Sequence, residues 1–150
     1  GGCGYRFSVP NSRLPQNIRR VHVVPFDNRT AEPLIDQLAT KALRDLLAST
    51  DRLGASDSNA VLEGKVLSVS AGPLMASRGL GQYPVYRMSM VVQLVLRKGD
   101  RLVWQSTMSG TEDFPSGPDV LLTEANRSAA LMRLSEAVMR DAVIDLASAE

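Results

Sequence analysis

The side chains that most often act as base and nucleophile near neutral pH are scarce here: the chain has one histidine, His22, and one cysteine, Cys3. His22 falls inside a predicted strand, so neither a Cys/His dyad nor a zinc constellation assembles. Serines and aspartates abound, but none lies in a nucleophile-elbow context. Asp27-Asn28-Arg29-Thr30 clusters polar groups at the carboxyl end of a strand, yet turns and helix starts use the same residue types. Glu112-Asp113 before Phe114-Pro115 reads as a solvated strand terminus. Gly79-Leu80-Gly81 lacks the Lys-Ser/Thr that a phosphate loop requires. An enzyme acting on envelope glycans rests on Asp27 and Glu112 alone, and the reading favoured is that the chain is not an enzyme. No metal or cofactor is implied.

The cations are more informative as a set. Arg78 lies in a glycine-rich stretch; Arg97, Lys98 and Arg101 surround a predicted hairpin tip; Arg87 and Lys65 lie on strand faces. Such a tip suits phosphorylated ligands through charge-assisted hydrogen bonds. Lysine and arginine also simply protect sheet edges. The overall balance of 17 basic and 16 acidic residues argues against general nucleic-acid binding, which needs a strong basic excess.

Cys3 sits in Gly1-Gly2-Cys3-Gly4 and has no disulfide partner. Small residues before a cysteine near the amino terminus are what a bacterial lipoprotein signal peptide leaves at its cleavage site. On that reading Cys3 is the first mature residue and carries three acyl chains, enough for stable anchoring where one chain holds only marginally. A chance cysteine is the other reading. No apolar run approaches the roughly 18 residues that span a bilayer.

The elements that position these groups follow from periodicity. Residues 5–17, rich in Pro, Asn, Ser and Arg, read as an extended tether, and the expected division is a tether over 1–18 and one domain over 19–150. A strand follows at 21–25. A helix starts near Pro33, with Leu34, Ile35, Leu38, Ala42, Leu43, Leu46 and Leu47 on one face. Three strands come next: 60–70; a second in which Met88, Met90, Val92, Leu94 and Leu96 alternate with polar residues; and a third returning after Lys98-Gly99-Asp100 with Leu102, Trp104, Ser106 and Met108. The opposite face of the last two strands carries Val85, Val91, Val95 and Val103. Isolated surface valines need no explanation, or another protein covers them. Residues 72–84 form the loop between the first two of these strands. A last helix runs over 119–147 with Leu122, Ala125, Ala129, Met132, Met139, Val143 and Leu146 on its apolar stripe, widened by Leu131, Leu134 and Val138. The expected fold is an α/β (α+β) two-layer sandwich, β-α-β-β-β-α, with a mixed four-stranded sheet and both helices on one face.

Several segments together resemble the LptE (RlpB) family of outer-membrane lipoproteins. They are Cys3-Gly4-Tyr5-Arg6-Phe7, Leu14-Pro15, residues 21–30 (VHVVPFDNRT), the helix from Pro33, Ala60-Val61-Leu62-Glu63-Gly64-Lys65-Val66, and the helix from Glu124-Ala125 to Leu146. The resemblance implies a non-enzymatic subunit of the lipopolysaccharide translocon that plugs the β-barrel protein LptD, assists its assembly and binds lipopolysaccharide. It also implies an outer-membrane location on the periplasmic side, through a lipid on Cys3. The family's lipopolysaccharide-contacting cations do not align confidently, so Arg78, Lys98 and Arg101 are chosen from location. The segment 21–28 also resembles the first strand of lipoproteins that activate peptidoglycan synthases or form secretion channels, which is the alternative.

Overall fold

In a computed structural model, which describes residues 14–74 and 83–149, five strands and two helices form the expected two layers. In chain order they are β1 (His22–Val23), β2 (Asp27–Asn28), α1 (Ile35–Ser49), β3 (Ala60–Pro73), β4 (Val85–Lys98), β5 (Arg101–Pro115) and α2 (Val120–Ala147). Sheet order is β1-β3-β4-β5, with β2 also pairing β3. β1 and β2 run parallel to β3, while β3, β4 and β5 are an antiparallel meander. The sheet is therefore mixed.

The strand expected at 21–25 is two short pieces, for a local reason. Val23 pairs Leu62 and Asp27 pairs Lys65, so the first chain spends four steps where β3 spends three. Pro25 has no N–H to give a ladder. Phe26 turns inward instead, and its N–H donates to Thr40 Oγ1 on α1 at 2.9 Å. The buried Thr40 hydroxyl in turn donates to Asp36 O at 2.6 Å. Thr40→Val keeps the shape and removes the acceptor, leaving Phe26 N–H orphaned. The expected cost is about 1–3 kcal/mol, measured by denaturant unfolding; a variant as stable as the parent would show that this bond contributes nothing.

Methionine and aliphatic side chains on β4 form the floor of the core. Met88, Met90, Val92, Leu94 and Leu96 are fully buried, as their alternation predicts, beneath Ile35, Leu43 and Leu47 of α1 and Leu134, Val138, Met139 and Leu146 of α2. The expected tether contributes to this core as well: Leu14 and Ile18 are buried on either side of a 3-10 turn, Pro15–Asn17.

Three sequence expectations change in detail. Leu102 was expected to face the core and is 53% exposed. The register slips between Leu96 and Arg97, so that Leu96 pairs Trp104 while Arg97 pairs Leu102. The extra residue turns Leu102 outward and packs Val103, expected outside, against the core. The loop expected over 72–84 starts later, because Gly72 and Pro73 still pair with Arg87 and Tyr86.

The largest change concerns α2. Leu122, Ala125, Ala129 and Met132 are exposed, whereas Ala130, Leu131, Leu134, Ser135, Val138 and Ala142 are buried. The Glu32–Arg127 ion pair puts the start of α1 beside the second turn of α2. Leu122 and Ala125, on the first turns of the 28-residue α2, therefore have no neighbouring helix to cover them, whereas Ala129 and Met132 lie on the solvent-facing side of α2. Leu34, expected on the apolar face of α1, is instead its N-cap, 60% exposed and in a left-handed conformation (φ 65°).

Candidate functional site

The polar run after the first strand is a self-contained turn. Asn28 Oδ1 accepts from Thr30 N at 2.8 Å and from Thr30 Oγ1 at 2.7 Å. Asn28 Nδ2 donates to Glu32 O at 2.8 Å, and Glu32 N donates to Thr30 Oγ1 at 3.0 Å. Arg29 Nε donates to Asp27 Oδ2 at 2.5 Å, and that bond holds the Asp27 carboxyl below its usual 3.8. The bonds among Asn28, Thr30 and Glu32 fix the route from β2 into α1, while the Arg29–Asp27 pair lies half-exposed beside it.

The two carboxylates weighed for glycan chemistry are kept apart. Asp27 lies on β2 and Glu112 on β5, with β3 and β4 between them. Three strand spacings amount to about 14 Å. Paired glycosidase carboxyls stand roughly 5–9.5 Å apart. Glu112 is also occupied, accepting from Arg133 Nε of α2 at 2.7 Å. Beside it Asp113 pairs with Arg87 across the β4–β5 ladder at 2.8 Å, and hydrogen bonding from that guanidinium lowers its pKa. His22 sits half-buried in β1. Among the described residues no three His, Cys, Asp or Glu side chains gather as a metal site.

The hairpin tip is as expected. Lys98 pairs Arg101 around Gly99-Asp100, and Gly99 takes the left-handed conformation (φ 62°) that glycine adopts without strain. Tertiary structure adds a neighbour that the linear sequence did not reveal. Arg101 Nη2 donates to Gln16 Oε1 at 3.0 Å, and Lys98 Nζ lies 3.5 Å from Gln16 O. The tip thus grips the 3-10 turn, beside a shallow groove of about 490 Å³ that Arg19, Arg52 and Ala149 help to line. Arg97 lies 3.7 Å from Glu63 on the helix-free sheet face. Of the residues singled out from sequence, Lys98 and Arg101 come together; Cys3 and Arg78 lie outside the described residues.

The helix-free face of the sheet carries half-buried Val91 and Val95, with a depression of about 270 Å³ among Val24, Pro25, Lys65, Gln93 and Arg97. The body thus combines a one-sided core, an open sheet face and a cationic tip. Among the described residues no helix is long and apolar enough to cross a membrane.

The family model described as "LptE: Lipopolysaccharide-assembly" matches residues 18–146. Among solved structures, a lipoprotein of Caulobacter crescentus superposes with a TM-score of 0.57 at 20% identity, covering 83% of this chain and 89% of that one. The minor lipoprotein of Acinetobacter baumannii gives 0.57 at 11% identity, covering 87% and 92%. The rare lipoprotein B of Shewanella oneidensis gives 0.55 at 11%, covering 80% and 90%. At these identities the structures share the fold. No curated protein matches the chain closely enough to count as a relative.

Proposed function

Because the chain belongs to the LptE lipopolysaccharide-assembly family, we propose that it is the lipoprotein subunit of the outer-membrane lipopolysaccharide translocon. In this role it occupies the interior of the LptD β-barrel, assists assembly of that barrel and binds lipopolysaccharide during insertion into the outer leaflet. The observation that carries the reading is the family match over residues 18–146. A rigid two-layer body supports it, since a plug must keep its shape against a wall, and barrels of sixteen or more strands leave a lumen large enough to need filling. A lipid on Cys3, ahead of the described body, keeps the plug near its barrel at high effective concentration on the periplasmic side of the outer membrane.

Lys98 and Arg101, with Arg78, contact lipopolysaccharide phosphates in this proposal. Exchanging Lys98 and Arg101 together for alanine is expected to weaken binding about tenfold and to flatten its salt dependence, because exposed charges are screened. Since both residues also hold Gln16, thermal unfolding of the variant must be measured alongside. Unchanged affinity with an unchanged salt response would remove the tip from the site. Co-purification from detergent-solubilised outer membranes tests the function as a whole: a chain that never retains a barrel partner refutes it.

A further inference from the structure

The sheet ends on one side in β1 and β2, two residues each, and on the other in β5, which is 15 residues long. Short strands are one way in which proteins blunt a sheet edge; lysine, proline and bulges are others. From Trp104 to Thr111, β5 has none of these. It pairs β4 without a register shift over this stretch, and its residues are uncharged and include no proline.

Which backbone groups face outward follows from the ladder. In an antiparallel pair, opposed residues alternate between those that exchange hydrogen bonds and those that do not. Ser116 N donates to Pro84 O at 3.0 Å, which fixes the phase one residue beyond the Val85–Pro115 pair. Trp104, Ser106, Met108 and Gly110 therefore bond to β4, whereas Gln105, Thr107, Ser109 and Thr111 turn their N–H and C=O away from it. Two side chains of α2 agree with this phase. Asn126 Nδ2 donates to Pro115 O at 2.9 Å, and Arg133 Nη2 reaches Asp113 O at 3.5 Å, both of them outward carbonyls. Those contacts close the last part of the edge. Among the described residues, none reaches the outward groups of Gln105, Thr107, Ser109 or Thr111. Donors and acceptors repeating every second residue, about 6.8 Å apart, are matched by another extended strand and by no other regular element.

The position of α2 decides what kind of strand fits. α2 lies directly over β5: a Cβ on Gly110 would sit 2.9 Å from Val138 Cγ2, and Trp104 Nε1 donates to Asp145 Oδ2 at 3.2 Å. A second copy pairing β5 to β5 about a two-fold axis would set its own α2 beside this one, over strands about 4.8 Å apart. Packed helices need roughly 8–10 Å between their axes. The occupant therefore carries no helix over its paired strand. The residues ahead of Leu14 suit the place poorly, since Pro10 has no N–H to give and Asn11 disfavours strands.

The side chains of the occupant are specified as well. Asn126, Arg133 and Ile144 are spaced by seven and eleven residues, so Ile144, 63% exposed, lies on the flank of α2 that reaches the edge. Trp104 and Met108 pack against the core from the same side of β5 and are only half-buried. On the opposite face stand the exposed Gln105, Thr107, Ser109 and Thr111. An added strand thus sets alternate side chains against Ile144, Trp104 and Met108, and the others beside hydroxyls and an amide.

We propose that the outer edge of β5, over residues 105–111, is a strand-addition site for an extended segment of another protein with apolar and polar side chains in alternation. Main-chain hydrogen bonds supply the affinity there, and the alternating side chains supply the selectivity. The site goes beyond the translocon role and does not rest on it.

The probe is a synthetic peptide of residues 87–97, which has the required alternation and an arginine at each end for solubility. It is added to the full chain carrying Cys3→Ser. In the free chain, the amides of Gln105, Thr107, Ser109 and Thr111 are expected to exchange at least a hundredfold faster by NMR than those of Trp104, Ser106, Met108 and Gly110. Adding peptide should slow the four outward amides at least tenfold. Opposed side chains share a face, so the peptide amides of Ser89, Val91, Gln93 and Val95 face the edge. N-methylation of those four should abolish binding, whereas N-methylation at Met90, Val92 and Leu94 should leave it. Thr107→Pro with Ser109→Pro removes two outward donors and no ladder bond, and is expected to weaken peptide binding at least tenfold. Should that variant not fold, the methylated peptides test the same bonds on the parent chain. Protection of the four outward amides in the free chain overturns the proposal, assigning the edge to this chain's own residues or to a second copy. A peptide that fails to bind, or binds as well when its edge-facing amides are methylated, also overturns it. A chain that binds the peptide as described but retains no barrel partner refutes the translocon role and supports the strand-addition site.

Discussion

Gly64→Val is expected to destabilise the protein by about 3 kcal/mol and to lower its melting temperature by roughly 10 °C. Gly64 is buried on β3 opposite Leu94, and a Cβ placed there would lie 2.4 Å from Phe26 Cε2 and 2.5 Å from Cζ. The ring has little room to yield, because Phe26 is buried and its backbone is fixed by the bond to Thr40. Valine therefore forces the ring out or pushes α1 from the sheet. Differential scanning calorimetry checks the size, and a double variant checks the cause. Phe26→Ala alone opens a cavity and is itself costly, at about 3–5 kcal/mol. Combined with Gly64→Val it should cost clearly less than the sum, since the new methyls fill the vacated space. A Gly64→Val protein that melts within a degree of the parent, or strict additivity in the pair, would show that this contact does not fix the stacking of helix on sheet.

Arg127→Met should cost about 2 kcal/mol. The Glu32 side chain is 11% exposed and meets the guanidinium of Arg127, which also reaches Glu124 at 3.3 Å. Hydrogen bonding to Glu32 raises the Arg127 pKa, against the opposing effect of burial. Removing one partner of a buried pair typically costs about 3–5 kcal/mol because the other charge stays behind. The partial exposure of Arg127 reduces that here. Glu32→Leu combined with Arg127→Met should recover most of the loss, since neither charge is then stranded. Chemical denaturation of the two single variants and the double completes the cycle. A coupling energy near zero would mean that solvent screens the pair fully. The pair joins the segment carrying Leu34 to α2, so loss of order at that end should accompany loss of stability.

These two positions show where sequence reasoning reached and where it stopped. Period-two alternation on β4 predicts its buried face residue by residue, because a pleated strand leaves a side chain no choice but one face or the other. Helix boundaries were legible from chemistry that acts within a few residues: Asp119 caps α2 as its position suggests. The resemblance to the LptE family also rests on residues met in order along the chain. By contrast, the stripe of α2 was misplaced over its first turns, since apolar spacing marks a face without saying whether a neighbour is there to cover it. α1 is 15 residues long and α2 is 28, and their alignment, fixed through Glu32 and Arg127, leaves the first turn of α2 with Leu121 in solvent.

Of the candidate site, the hairpin tip was legible because Gly99 and its flanking cations are local features. Its grip on Gln16 was not, because 85 residues separate Arg101 from its acceptor. The sequence by itself thus determined most of the elements and the two-layer arrangement, which follow from short-range stereochemistry and solvent preference, while the family was legible as a resemblance of segments in order along the chain. Tertiary structure alone decided the pairing of distant charges, the ring of Phe26 against Gly64, the bulge that exchanges Leu102 with Val103, and the exposure of Val120 and Leu121 on the first turn of α2. Those depend on how long elements end relative to one another, and no local pattern encodes that.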